Sequence, residues 1–185
     1  MISQKIQKGN LLIAEPSSIA DSSFNRSIIY LTEHNADGSV GFILNKPSEY
    51  LLKDLVFDID CDFRVFIGGP VEHDNLYFIH TIPHLIPESI EVSKGVFWGG
   101  NYEAVKTYIE QGLIKKEDIR FFLGYSGWSI DQLEKEIKEK SWTLTDNKYK
   151  TIFSINDSQG WKDKLLEMGG DYILWANSPE DPNLN

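Results

Sequence analysis

Apolar positions in the first half of this chain come in short continuous runs, broken by glycine, proline and charged residues. Runs that short suit strands, whereas an amphipathic helix spaces its apolar residues a turn apart. Leu11 to Ala14 predicts a strand, ended by Glu15 and Pro16. Ser27 to Thr32 (SIIYLT) and Val40 to Leu44 (VGFIL) predict two more, rich in β-branched and aromatic residues. Asp37-Gly38 lies between them, a pair that supplies the positive φ angles of a tight turn. The connection from Glu33 to Ser39 reads as longer than a two-residue hairpin. Tyr50 to Phe57 predicts a helix, with Leu51, Leu52, Leu55 and Val56 on its apolar face.

Arg64 to Ile67 predicts a strand feeding Gly68-Gly69-Pro70, with Leu76 to His80 as its antiparallel partner. Pro83 and Pro87 make the next stretch irregular, and Val96 to Trp98 reads as a short strand. A helix follows from Tyr102 to Gln111, capped by Asn101 and stopped by Gly112. Ile119 to Gly124 predicts a strand, then a glycine turn, then a helix from Ser129 to Lys140. Ser129 to Gln132 fits a capping box, and Glu134/Lys138 and Glu136/Lys140 sit four apart on the exposed face. Trp142 to Thr145, Thr151 to Ile155 and Tyr172 to Trp175 read as strands. Gln159 to Met168 reads as a helix ended by Gly169-Gly170, and the tail from Asn177 is polar. Hairpins with separated helices predict α+β rather than a βαβ repeat. The expectation is one domain over residues 1–185, with no internal repeat or linker.

Charge narrows the function. The net charge is −10, from 28 acids against 18 bases. Phosphate contacts need a basic surface, so this balance argues against direct nucleic-acid binding. A single cysteine, Cys61, rules out an intramolecular disulfide and fits a reducing compartment. The Leu11–Ala14 run is too short for a signal-peptide core or a membrane span. The protein is expected in the cytoplasm, away from membranes.

The segment RFFLGYSGW, from Arg120 to Trp128, is where chemistry is sought first. Strand-to-helix junctions are where α/β proteins commonly place ligand sites. Ser126 completes no nucleophile elbow, because that motif needs Gly-x-Ser-x-Gly and the last glycine is misplaced. It reads as a turn-forming serine. His73, His80 and His84 lie close in sequence but form no metal-binding motif, and Cys61 between two aspartates reads as inert. The glycine pairs at 68–69 and 99–100 complete no phosphate-binding fingerprint and read as tight turns or chain crossings. The tryptophans read as core. Arg26 precedes an apolar strand and Asn45 follows one; if those strands pair, the two meet at one sheet end. Arg120 begins another strand. The structural alternative is that both arginines pair with carboxylates and that Asn45 satisfies turn backbone.

Ordered markers run along the whole chain: GNLLIAEP at Gly9 to Pro16, FNRSIIYLTEH at Phe24 to His34, and GFILNKP at Gly41 to Pro47. They continue with GGPV at Gly68 to Val71, GVFWGG at Gly95 to Gly100, and RFFLGYSGW. MGGDYIL at Met168 to Leu174 and DPNLN at Asp181 to Asn185 close the series. In this order they resemble the YqgE/AlgH family, also called UPF0301 or DUF179, of bacterial proteins with plant relatives. The resemblance implies one α+β domain with a strongly bent, mostly antiparallel β-sheet and helices packed around it. It brings a transcriptional-regulator label linked to alginate regulation, but no established reaction and no catalytic residue set.

The expected function is a non-enzymatic regulatory module that binds a small molecule or another protein. Arg26, Asn45, Arg120 and Trp128 are its candidate contacts, and no catalytic residue, cofactor or metal is assigned. One alternative is an enzyme acting on a small anionic substrate held by Arg26 or Arg120, with His34 or a nearby carboxylate as acid/base. The other is a direct DNA-binding regulator, which the acidic charge disfavours and for which no helix-turn-helix pair is visible.

Overall fold

The computed structural model describes residues 5–16, 22–146 and 151–178. Its strands are β1 (Leu11–Ala14), β2 (Ile28–Asn35), β3 (Gly38–Ile43), β4 (Pro47–Leu51), β5 (Arg64–Ile67), β6 (Val71–His80), β7 (Ile90–Ser93), β8 (Val96–Trp98), β9 (Ile119–Trp128) and β10 (Trp142–Thr145). Its helices are α1 (Leu52–Leu55), α2 (Tyr102–Glu110), α3 (Gln132–Lys138), α4 (Thr151–Ser154), α5 (Ser158–Met168) and α6 (Tyr172–Ala176). The strands join in the order β10-β1-β2-β3-β9-β6-β8-β7, with β5 branching from β9 and β4 from β5. Each pairing is antiparallel except that of β5 with β9. This is the predicted α+β architecture, one open, mostly antiparallel sheet with helices packed on it.

Side-chain alternation assigns the cores. Leu11 and Ile13 of β1 pack with Trp161, Leu165 and Ala176 of α5 and α6, while Leu12 and Ala14 pack with Leu133 of α3. Ile28 and Tyr30 of β2 take the first face, Ile29 and Leu31 the second. Strands buried on both faces read as continuous apolar runs, which is the pattern their sequences carry. In the other half of the sheet, Val65 and Phe121 pack with Val105 and Ile109 of α2.

Strand β9 belongs to both halves. Phe122 and Tyr125 face the α5 side, whereas Phe121 and Trp128 face away from it. Strict alternation would put Phe122 and Tyr125 on opposite faces, so the pleat is reset between them. Gly124 does this with a φ of +67°. It lies opposite a bulge in β6, where Val71 pairs with Tyr125 and Leu76 with Leu123. A Cβ on Gly124 would stand 2.6 Å from Gly69 O and 2.7 Å from Val71 O. Glycine is what allows these backbones to meet.

Several expectations are corrected. The junction predicted at RFFLGYSGW is a continuous strand, so Ser126 lies in β9 and not in a turn. The β2–β3 hairpin is tight: Asn35 pairs with Gly38, and Asn35 Oδ1 accepts from the Asp37 N–H at 2.8 Å. Of the Asp37-Gly38 pair only Gly38 has a positive φ. Tyr50 and Leu51 end β4, which leaves α1 a single turn. Strand β6 pairs with β8 and β9, not with β5, and β7 is an element the sequence pattern does not announce. The runs at Thr151 and Tyr172 form helices α4 and α6. Helix α3 starts at Gln132, whose side chain accepts from the Ser129 N–H at 2.9 Å and hydroxyl at 3.1 Å. The expected Glu/Lys pairs give way to Glu134 facing His34 at 3.6 Å and Glu136 accepting from the Trp128 and Trp142 indoles. From residue 179 the polar tail lies outside the described residues. Among those described, no helix is long and apolar enough to cross a membrane.

Candidate ligand site

Both β5 and β9 carry an arginine at their opening, in Arg64-Val65-Phe66-Ile67 and Arg120-Phe121-Phe122-Leu123. They pair in parallel, Val65 beside Phe121 and Phe66 beside Phe122, which sets Arg64 level with Arg120 at one sheet end. Arg64 is exposed, whereas Arg120 is only 5 % exposed. The Arg120 guanidinium lies 4.3 Å over the Phe66 ring. Its Nη1 donates to the carbonyls of Leu44 at 3.0 Å and Ile155 at 2.6 Å. Its Nη2 donates to the Phe153 carbonyl and to Asn156 Oδ1, each at 2.8 Å. All four acceptors are neutral, which corrects the carboxylate pairing weighed for this residue. Burial pulls its pKa down to about 10, so it keeps its charge at neutral pH.

Arg120 walls a depression of about 650 Å³. Phe63, Phe66 and Phe153 give it aromatic surface; Arg64, Lys116, Asp62 and Glu117 give it charge. Asp62 is already engaged by Lys53, which holds its carboxyl below the usual range. Cations therefore outweigh free carboxylates here, a local reversal of sign in a chain of net charge −10.

The other sequence candidates lie elsewhere. Arg26 and Asn45 line a smaller depression of about 190 Å³ with Lys46 and Ser158. Asn45 is buried; its Oδ1 accepts from the Ile28 N–H and its Nδ2 donates to the Arg26 carbonyl, both at 2.8 Å. These bonds fix the entry to β2, where Arg26 has a φ of +53°. Arg26 Nη2 donates to the Ser178 carbonyl at 2.7 Å, with the guanidinium 5.1 Å over Trp161. Trp128 lines a third depression, of about 370 Å³, with Val71 and Tyr125. Its indole N–H donates to Glu136 at 2.8 Å and its ring stacks on Phe24 at 6.3 Å. The fold thus brings Arg26 and Asn45 together and gives Arg120 and Trp128 separate surroundings. One link remains: the Leu44 carbonyl held by Arg120 belongs to the residue before Asn45.

Other reactive groups are committed to structure. Ser126 is buried, its Oγ donating to the Gly68 carbonyl at 3.0 Å. His80 is fully buried; its Nδ1 accepts from the Ile82 N–H, leaving Nε2 to donate to the Gly99 carbonyl at 3.1 Å. Burial pushes the Cys61 thiol up, and Asp62 and Asp60 add to this. The glycines at 68 and 69 are chain crossings, where a Cβ would meet Gly124 O and Tyr125 O at 2.2 Å.

Sequence reasoning missed Arg64, Lys116 and Asn156. A signal for Arg64 existed, because Arg-x-Phe-aliphatic-Gly occurs at both Arg64–Gly68 and Arg120–Gly124. Lys116 and Asn156 carry no such signal, since only the fold brings their segments together.

The profile of the family described as "DUF179: AlgH-like" matches residues 11–173. A UPF0301 protein of Chlorobaculum parvum is 40% identical over 183 residues, covering 98% of this chain and 97% of its own. A UPF0301 protein of Cytophaga hutchinsonii is 38% identical over 182 residues, covering 97% of this chain and 100% of its own. The crystal structure of protein DIP2367 from Corynebacterium diphtheriae superposes with a TM-score of 0.77 at 19% identity, covering 96% of this chain and 95% of that one. The solution structure of the AlgH protein from Pseudomonas aeruginosa gives 0.73 at 24% identity, covering 96% and 98%. These two structures share the fold.

Proposed function

The chain belongs to the DUF179, AlgH-like family, and from that premise we propose that it is a non-enzymatic regulatory module that binds a small ligand beside Arg120. The observation that carries this reading is a concavity with aromatic walls whose buried polar groups are already fixed by the fold. A pre-ordered wall loses little freedom when a ligand enters, which favours binding. His34, the base considered from sequence, hydrogen-bonds Ser39 and faces Glu134, and it does not line this depression. A net charge of −10 supports regulation through a ligand or partner rather than through DNA contact. The single cysteine suits a cytoplasmic setting.

The test is a native mass spectrum of the protein purified gently from its own cells. The expected spectrum carries one small molecule per chain, lost when Arg64 and Lys116 are both replaced by glutamine. A protein partner in its place, or turnover of the retained molecule, would overturn the reading.

A further inference from the structure

We infer that this depression takes a small organic anion, a carboxylate or phosphate on an aromatic or apolar body, with its acid group among Arg64, Lys116 and Arg120. The inference rests on the binding role proposed above and adds the chemistry of the ligand. Three observations carry it. Arg120 is a buried charge whose four hydrogen-bond acceptors are neutral, and buried charges ordinarily have a counter-charge. The parallel register places Arg64 level with it on the neighbouring strand, so an anion at this sheet end is attracted by both charges. The lining sets Arg64, Lys116 and Arg120 against Glu117 and an Asp62 that Lys53 holds and Lys116 also attracts, so the cations stay in excess. The body of the ligand has Phe63, Phe66 and Phe153 to pack against. The depression, about 650 Å³, falls within the range of small-molecule sites.

Calorimetric titration of the full chain at low salt tests this with four probes: phenyl phosphate, benzoate, phenol and inorganic phosphate. One or both aromatic anions should bind at one per chain, and their order tells phosphate from carboxylate. Phenol should not bind. The Arg64→Gln, Lys116→Gln double variant, altered at exposed positions only, should weaken anion binding by ~10-fold or more, as charge-assisted bonds are lost. Added salt should weaken it as well. Inorganic phosphate binding as tightly as phenyl phosphate would remove the organic body and sink the inference. Phenol binding as tightly as the anions, unchanged in the double variant, would also sink it while leaving the binding role intact. Saturable binding by none of the probes sinks it too, and the binding role then stands or falls on the mass spectrum.

Discussion

At the scale of single residues, the sequence marks Arg120 and Asn45 as polar groups at the ends of apolar runs, but not what they hold. Asn45 binds the backbone beside it, as its position implies. Arg120 instead ties its strand to two distant segments, taking the Leu44 carbonyl from one and the Ile155 and Phe153 carbonyls from the other. Nothing local to residue 120 encodes those partners. A planar fork with five donors can serve four acceptors at once, whereas lysine offers three donors on a flexible stem. Arg120→Lys should therefore keep the charge and orphan part of the network. The expected loss is ~2–4 kcal/mol, the scale of breaking a buried hydrogen-bond network. Urea unfolding followed by tryptophan fluorescence measures it. A change within ~0.5 kcal/mol, the range of ordinary surface substitutions, would mean that the carbonyls find other donors.

Elements are legible where a run is long or its cap is explicit. Asn101 caps α2 as predicted, its side chain accepting from the Ala104 N–H at 3.0 Å. The runs at Thr151–Ile155 and Tyr172–Trp175 mislead because periodicity cannot separate a short buried strand from a short buried helix. Burial of Ile152, Ile155 and Ala176 in the α5-side core suits the helical form. RFFLGYSGW misleads for another reason: its glycines look like punctuation, yet Gly124 resets the pleat within β9. Two alanine substitutions separate conformation from crowding. Gly124 and Gly112 have nearly the same φ, +67° and +69°, but a Cβ on Gly112 meets nothing within 4 Å. Gly112→Ala should lose only the conformational part, ~1–2 kcal/mol. Gly124→Ala adds two backbone clashes and should lose ~2 kcal/mol more, in the range of overpacked interiors. Equal losses in thermal or urea unfolding would show that the crossing of β9 with the Gly69–Val71 segment relaxes without cost.

For the molecule as a whole, the double-sided burial of β1 and β2 is readable from their unbroken apolar runs, but the identity of the cover is not. One face rests on α5 and α6, where Trp161, Leu165 and Ala176 meet Leu11, Ile13, Ile28 and Tyr30. The Trp161 indole donates to the Ala14 carbonyl at 3.0 Å, across 147 residues of sequence. Arg26 reaches the Ser178 carbonyl in the same region. Contacts of such range leave no local signature, and the last helix reads as a strand from its sequence alone. If the chain is one cooperative unit, these helices cannot be accessory. A chain ending at residue 157 would expose the apolar face of β1 and β2 to water. It should lose the near-ultraviolet circular dichroism of packed aromatics, bind a hydrophobic dye and melt without a sharp transition. The full chain should unfold in one step, with fluorescence and circular dichroism midpoints coinciding. Trp161→Ala is the milder version, expected to lose ~3–5 kcal/mol while keeping a single transition. A truncated chain that still melts sharply would place the cooperative core in the sheet, α2 and α3 alone, and the single-domain reading would fail.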